Sequence, residues 1–410
     1  MAVVAETSDS RLQEIVAIRH DLHAHPELGY QEERTSQVVQ RELKAAGIEF
    51  AAGLAGGTGV LGWLPATESA PISTSHEPRA TIHASPPTIA LRADMDALPI
   101  TEATGKPYSS TNPGVMHACG HDGHTSILLG VAKALTERKN RPNNVLLLFQ
   151  PAEEGGAGGK RMVEDGALSG RAIGKKADMI FGLHGWTTLE LGNVASRVGP
   201  MMAATNTFEV TIRGQGGHAA APHLGTDPIP VAAHLVTALQ AIASRNVDPF
   251  DSIVVTVGQI EAGTAVNIIP HTATLKGTVR TLTPETRKLA ERRVKETARG
   301  VAEAFGAEAD VVWIEGYPVT SNAPEAVARF LDCASKALGE EAVSDQGKPT
   351  MGGEDFSFYG SECPACFFQL GLIPPGKDSY PSVHTPEFDF NDEAIPIGMR
   401  VFLELALARP

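Results

Sequence analysis

One short segment of the sequence carries a high density of side chains that bind metals. Residues 116–124 read Met-His-Ala-Cys-Gly-His-Asp-Gly-His, which places a thiol, three imidazoles and a carboxylate within nine positions. Thiolates and imidazoles are preferred ligands of zinc and related divalent ions. The segment therefore predicts a metal site, and further ligand types occur at Glu153, Glu154, His184 and His384.

A hydrolytic metal site needs ligands, an open position for water and a base that accepts the proton of that water. Glu153 and Glu154 precede a glycine-rich segment, and because adjacent side chains diverge, one can bind metal while the other serves as base. Cys119 and His121 stand just before a predicted helix, whose positive end favours a thiolate. Taken alone, a buried Cys is usually a structural residue, and a Glu-Glu pair is usually a solvated surface pair. Their joint occurrence favours the functional interpretation.

These ligand types occur where apolar runs end, and such runs are typical of strands buried on both faces of a sheet. In open α/β sheets, ligands bind outside the carboxyl ends of the strands, so one sheet edge can collect these side chains. Helical periodicity separates the runs, which predicts an α/β domain with a mostly parallel sheet. The runs lie at 89–91 (before Asp94 and Asp96), 145–149, 179–181 and 366–368, and the predicted helices at 11–23, 35–46, 125–137 and 324–338.

Residues 200–312 show a different pattern, which predicts a second domain. Their β-α-β-β-α-β order is the split-βαβ arrangement, an α+β fold of the ferredoxin-like type. A chain of 410 residues also exceeds what one hydrophobic core usually organises. We therefore expect a catalytic domain of residues 1–199 and 313–410, interrupted by the inserted domain. Its predicted strands include 208–212, 252–260, 272–280 and 310–314, and its helices are 228–246 and 284–305.

Composition favours a soluble protein that acts on small molecules. Lys and Arg total 34 against 48 Asp and Glu, a net charge of −14, which disfavours nucleic acid and anionic membranes as partners. The N-terminus lacks signal-peptide features, and four cysteines are too few for a disulfide framework, so we expect a cytoplasmic protein with reduced thiols. Residues 64–87 are rich in Pro, Ser, Thr and Ala, which predicts a long surface loop.

Ordered motifs along nearly the whole chain resemble the M20 family of metallopeptidases and amidohydrolases, specifically its cysteine-containing branch. That branch holds hippurate hydrolase-like, N-acyl-amino-acid and indole-acetyl-amino-acid amidohydrolases. The resemblance implies a zinc-peptidase-like catalytic domain and an inserted dimerisation or lid domain. The motifs lie at 19–27 (Arg-His-Asp-Leu-His-Ala-His-Pro-Glu), 91–99, 117–122, 150–154, 182–184, 214–220, 267–270, 277–280, 351–356 and 382–384.

The resemblance also implies a role for each ligand type. Cys119 would bridge two divalent metal ions, and Glu153 would be the general base and later the acid that protonates the leaving amine. Zinc suits this donor set first, with manganese, nickel or cobalt as alternatives. One ion would also bind His121 and His184, and the other would bind Glu154 and His384.

On the inserted domain, His218 matches a histidine that in relatives reaches the partner subunit's active site and helps to hold the oxyanion or the substrate carboxylate. Asn267 and Arg280 match carboxylate anchors, although such an Asn often caps a turn and such an Arg is often a solvated charge. A homodimer or higher homo-oligomer is implied. Residues expected to orient the ligands through hydrogen bonds or to lie at the helix start are Asp94, Asp96, His117, Asp122 and His124.

The expected activity is metal-dependent hydrolysis of the amide bond in an N-acyl amino acid, with aromatic acyl groups among the candidates. The alternative within the family is a dipeptidase or carboxypeptidase, which shares every ligand. From other classes, a non-catalytic metal-binding protein and a thiol redox protein remain open. The redox alternative depends on Cys363 and Cys366, whose CxxC spacing is typical of redox sites, but buried structural cysteines are the favoured interpretation.

Overall fold

The computed structural model describes residues 9–67 and 85–409. Within them the chain divides into two compact units. The first contains the described parts of 1–199, together with 321–348 and 355–410, and the second contains 200–320 and 349–354. Most of the loop expected at 64–87 lies outside the described residues. In the described ranges, no helix combines the length and the apolar character that a membrane crossing requires.

The helices follow the predicted order along the chain. The helix predicted at 324–338 has those bounds, whereas the one predicted at 125–137 begins at His121. His121 and Asp122 therefore belong to the first helical turn. The helices are α1 Asp9–Ala24, α2 Glu33–Ala45, α3 His121–Thr136, α4 Gly158–Glu164, α5 Pro228–Ala241, α6 Pro284–Ala304, α7 Pro324–Leu338 and α8 Ile395–Leu407.

Strands supply the framework of both units, and the chain alternates between strands and helices in most of the first unit. The strands are β1 Glu49–Leu54, β2 Gly59–Leu64, β3 Thr88–Asp94, β4 Asn144–Gln150, β5 Met179–Glu190, β6 Val194–Ala195, β7 Gly199–Met202, β8 Ala204–Arg213, β9 Gly217–His218, β10 Ile253–Ala262, β11 Ile268–Ile269, β12 Thr272–Thr281, β13 Glu308–Glu315, β14 Thr320–Asn322, β15 Val343–Ser344 and β16 Ala365–Ile373.

The first unit is built on an eight-stranded sheet in the order β1-β2-β4-β3-β5-β16-β6-β15. Its centre is parallel, because β3 pairs in parallel with β4 and β5, and β5 pairs in parallel with β16. Strands β2, β3, β4 and β16 are buried along their whole length, as expected for strands covered on both faces. The carboxyl ends of β3 and β4 therefore lie side by side.

The second unit has a four-stranded antiparallel sheet in the order β10-β12-β8-β13. The β-α-β-β-α-β order and this strand arrangement match the split-βαβ prediction. Phe208, Val210 and Ile212 of β8 face the same core as Leu235 of α5 and Val294 of α6. The segment at 349–354 also belongs to this unit, through backbone bonds such as the one from the Ala203 amide to the Gly352 carbonyl, 2.8 Å.

Candidate metal centre

Six side chains of the first unit converge on a buried cluster, here called the thiol cluster. One potential ligand atom each from Cys119, His121 and His184 lie within 4.8 Å of one another. The same holds for Cys119, Glu154 and His384, and for His121, Glu153 and Glu154. The members of the thiol cluster are therefore Cys119, His121, Glu153, Glu154, His184 and His384.

The turn that carries Cys119 and His121 depends on the glycine between them. Gly120 has φ 89°, in the left-handed region where glycine is least strained. A Cβ atom at Gly120 would lie 2.9 Å from the Phe390 ring. Glycine at this position therefore lets the chain pass from Cys119 directly into α3, which places His121 in its first turn.

Hydrogen bonds orient two imidazoles of the cluster as metal ligands. Nδ1 of His121 lies 2.9 Å from the Asp96 carbonyl oxygen, and Nδ1 of His184 lies 2.8 Å from the Gly185 carbonyl oxygen. A ring N–H that donates to a carbonyl leaves Nε2 as the lone-pair nitrogen. Nε2 of His184 lies 3.3 Å from the Cys119 sulfur, and the buried Nε2 of His121 has no hydrogen-bond partner among the described residues. Both nitrogens fit a metal ion.

Electrostatics in the cluster also fit a bound cation. Burial and the carboxylates of Glu154 and Glu153 raise the pKa of the Cys119 thiol well above its usual value. Burial lowers the pKa of His184 to about 3. Burial also lowers the pKa of His121, but the carboxylates of Asp94 and Asp96 have the larger, opposite effect. The pKa of His121 therefore rises to about 10. A divalent cation stabilises a coordinated thiolate and compensates such crowded carboxylates.

Glu153 and Glu154 lie in a turn that follows β4. Ala152 before them has φ 53°, an uncommon conformation for a residue with a side chain. Oδ2 of Asp96 accepts the Glu154 amide at 2.9 Å, and its Oδ1 lies 3.2 Å from Nδ1 of His121. Asp96 thus links the two segments that supply His121 and Glu154, an arrangement that supports the orienting role predicted for it.

His384 reaches the cluster from the loop after β16. Its amide donates to the Ala118 carbonyl at 2.8 Å, which fastens the loop beside Cys119. Its φ of 63° is left-handed, and its Nε2 lies 3.1 Å from Oε1 of Glu154. The side chain is 51% exposed, whereas Cys119, His121 and His184 are buried. His384 therefore stands on the solvent side of the thiol cluster.

Asp94 connects the cluster with a buried polar network. It accepts from Arg92 at 2.5 Å, and its Oδ1 lies 2.7 Å from Nδ1 of His124. Nε2 of His124 in turn accepts the Gly185 amide at 2.9 Å, next to His184. Asp94 and His124 thus support the strand that carries His184.

Asp122 lies in the first turn of α3, a helix-start position, whereas His117 forms no hydrogen bond to a ligand among the described residues. Asp122 pairs with the buried side chains of Arg19, at 2.7 Å, and His23, at 2.9 Å, so it anchors α1 to α3. Its hydrogen bonds hold a helix start and do not reach a ligand side chain. His117 is buried with neither ring nitrogen bonded among the described residues, and burial lowers its pKa to about 4.

In the second unit, His218 and Asn267 line one exposed groove, here called the glycine groove. His218 of β9 pairs with Ile268 of β11, and the Ala219 amide donates to the Asn267 carbonyl at 3.1 Å. Arg280 is not among the lining residues and lies at the far end of β12 from Thr272, roughly 25 Å along the strand. The groove, about 680 Å³ in volume, is lined by residues 216–218, 263–264 and 267–272.

Sequence reasoning missed several buried charged residues around the cluster. Arg92 donates to Gln150 at 2.9 Å and to Asp355 at 3.0 Å, and the Asp355 amide donates to Glu153 at 3.3 Å. Oε1 of Glu32 accepts the Ala152 amide in the turn before Glu153. The available signal was a charge where the pattern predicts burial, since Arg92 interrupts an apolar strand.

The two cysteines of the CxxC motif are separate from the cluster. Cys363 and Cys366 are buried free thiols, and burial raises the pKa of each to about 12. The Cys366 sulfur lies 3.4 Å from the Ser196 hydroxyl. A thiol with a raised pKa is a poor nucleophile at neutral pH. These features favour the structural interpretation over redox chemistry.

Several known proteins are similar to this chain. The family model described as Peptidase family M20/M25/M40 matches residues 90–408. N-acetyl-L-cysteine deacetylase of Bacillus subtilis is 40% identical over 384 residues, which cover 93% of this chain and 85% of that protein. Hippurate hydrolase of Campylobacter jejuni is 39% identical over 397 residues, 96% of each.

A solved structure extends the similarity to the fold. It is a dinuclear metal-binding peptidase of the M20 family from Bacillus subtilis, 32% identical, with a TM-score of 0.81 and coverage of 98% of each chain. The α/β class and the family resemblance expected from sequence are thereby confirmed.

Proposed function

This chain belongs to peptidase family M20/M25/M40, and on that premise we propose that it is a metal-dependent amidohydrolase that cleaves the amide bond of N-acyl amino acids. The curated relatives described above are an N-acetyl-L-cysteine deacetylase and a hippurate hydrolase, both named for such substrates. The proposed reaction releases a carboxylic acid and a free amino acid. Dipeptides are the competing substrates.

The observation that carries the proposal is the shared sulfur of the thiol cluster. Cys119 belongs both to the group with His121 and His184 and to the group with Glu154 and His384. One sulfur common to two ligand sets supports a bridging thiolate between two divalent ions. Zinc is the proposed metal, because thiolate, imidazole and carboxylate together suit it, with manganese, nickel or cobalt as alternatives.

Glu153 is the proposed general base. Its carboxylate lies within 4.8 Å of ligand atoms of His121 and Glu154, so a water molecule held by the cluster is within its reach. When bound, the two ions polarise the substrate carbonyl and lower the pKa of the attacking water. Glu153 accepts the proton of that water and then donates it to the leaving amine, which departs as a neutral group. The 6% exposure of Glu153 limits competing bulk water.

His218 and Asn267 are proposed to hold the oxyanion or the substrate carboxylate. Their shared exposed groove supports this role, whereas the same role for Arg280 depends on the family resemblance alone. A homodimer is also proposed, and the exposure of Ile260, Val266 and Ile268 in the second unit supports a protein contact there. The four free cysteines support the cytoplasmic, reducing location.

The test compares Glu153→Gln with Glu154→Gln. Glu153→Gln should retain about two ions per chain, measured by elemental analysis, while kcat on acetyl, benzoyl and indole-acetyl amino acids falls at least about 1,000-fold. Glu154→Gln should instead lower the metal content. Full turnover by Glu153→Gln would refute the base assignment. Wild-type protein that is active with less than one ion per chain would refute the metal mechanism.

A further inference from the structure

A short segment upstream of the matched family region contacts the turn that carries Glu153 and Glu154. The family model begins at residue 90, yet residues 29–32 meet the turn in the first unit. Oε1 of Glu32 accepts the Ala152 amide at 2.8 Å, and Oε2 of Glu32 accepts the Thr58 hydroxyl at 2.9 Å. Glu32 is fully buried, so both bonds form away from solvent.

The hydrogen bond from the Ala152 amide to Glu32 connects residues 29–32 with the thiol cluster. Ala152 is buried and left-handed, with φ 53°, and it directly precedes Glu153. That conformation is strained for a residue other than glycine and persists only when its surroundings hold it. The bond from its amide to a buried carboxyl group is such a constraint, because the amide would otherwise be left without an acceptor.

Two further contacts fasten the same turn. The Tyr30 hydroxyl donates to the Gly156 carbonyl at 2.6 Å, and the Arg161 guanidinium lies 4.2 Å from the centre of the Tyr30 ring. Gly29 packs so closely on Ala152 that a Cβ atom there would lie 3.2 Å from the Ala152 Cα. Residues 29–32 therefore contact the turn at Ala152, before Glu153, and at Gly156, after Glu154.

We propose that Glu32 is a positioning residue of the proposed hydrolase: it holds the left-handed turn at Ala152 so that Glu154 points to the metal and Glu153 points to the water. The inference rests on the proposed function, since it assigns to Glu32 the placement of the base and of one ligand. Glu32 bonds to Ala152 and Thr58 and belongs to none of the ligand groups of the thiol cluster. Supports of this kind typically change metal affinity or activity by about 10–100-fold when removed.

The experiment measures zinc affinity of chelator-stripped protein by competition with a chromophoric chelator, together with kcat. Glu32→Ala should weaken zinc binding and lower kcat by about 10–100-fold each. Glu32→Gln should stay within about 3-fold of wild type, because its amide oxygen can accept from Ala152 and its NH2 group can donate to Thr58. If Glu32→Ala does not fold, Glu32→Asp keeps the carboxyl group but shortens the side chain, and the same losses are expected.

A matched control and a double variant separate positioning from general stability. Glu27 caps the start of α2 by accepting the Thr35 amide at 2.8 Å, so Glu27→Ala should lower Tm without changing zinc affinity. Ala152→Gly removes the conformational cost, so it should recover part of the Glu32→Ala loss. Wild-type zinc affinity in Glu32→Ala, or an equal loss in Glu27→Ala, would overturn the proposal. Failure of wild-type protein to bind any of zinc, manganese, nickel and cobalt would instead refute the proposed function.

Discussion

The thiol cluster of the first unit and the glycine groove of the second differ in how their side chains are held. In the cluster, Cys119 and His184 are buried, and backbone carbonyls fix the imidazole rings. In the groove, His218 is exposed, and a two-residue strand pair positions it. The cluster is therefore rigid and polar in a low-dielectric setting, whereas the groove is open to solvent.

This difference indicates a division of labour within the chain. Folding itself orients buried, hydrogen-bonded ligands, so little further ordering is needed when an ion binds. Exposed groups on short strands adapt to a ligand at lower cost to stability but with weaker electrostatic effect. We therefore expect variants in the cluster to alter metal content, and variants in the groove to alter turnover while metal content stays intact.

The largest expected effect is that of Cys119→Ser. Loss of the sulfur shared by both ligand groups should abolish binding of at least one ion and lower kcat/KM by more than about 1,000-fold. Cys366→Ser is the matched control, because it also replaces a buried thiol with a raised pKa, beside the Ser196 hydroxyl. It should keep metal content and activity. Two ions per chain in Cys119→Ser, measured by elemental analysis, would contradict the bridging role.

A smaller effect is expected in the groove. His218→Ala should lower kcat by about 100-fold, as is typical when one group that stabilises an oxyanion is removed, and should leave two ions per chain. His271→Ala is the control, since His271 lines the same groove but has no proposed role in the reaction. Loss of metal in His218→Ala, or equal loss of activity in both variants, would break the contrast between groove and cluster.

Much of the thiol cluster could be predicted, because strand ends and ligand types are local features of the sequence. The apolar run before Glu153 and Glu154 marks β4, and parallel pairing of β3 with β4 brings Asp96 beside Glu154. The helix at 324–338 was predictable from its periodicity and its proline at the first turn. The strand ends and the helix are read from neighbours along the chain, whereas the pairing of β3 with β4 follows from the α/β alternation.

The missed features depend on contacts between distant segments. The start of α3 at His121 was placed at residue 125, since polar residues in the first turn hide the helical period. The thiol was expected to be acidic, but Glu153 and Glu154, more than 30 residues away in sequence, help to raise its pKa. The sequence around Arg19 and Glu32 gives no sign of burial, and only the fold shows that both are buried. Tertiary burial overrides local pattern in each case.

The smallest expected effect is a change of unfolding free energy with pH. It involves buried charges of the first unit and not the exposed groove. Nδ1 of His23 lies 2.9 Å from Asp122, and its Nε2 lies 3.3 Å from Glu102. Burial lowers the pKa of His23, but Asp122 and Glu102 outweigh it and raise the pKa from 6.5 to about 9. A raised pKa stabilises the folded state fully below about pH 6.5, and that stabilisation is lost as pH rises towards 9.

Wild-type protein should therefore lose up to about 3 kcal/mol of unfolding free energy between pH 6.5 and 9 through His23. His23→Gln should be less stable at pH 6.5 and show a flatter profile, measured by urea unfolding of chelated protein so that metal binding does not contribute. His25→Gln, two residues further along and 40% exposed, is the control and should keep the wild-type slope. A wild-type slope in His23→Gln would show that the ion pairs around Asp122 do not stabilise the folded first unit.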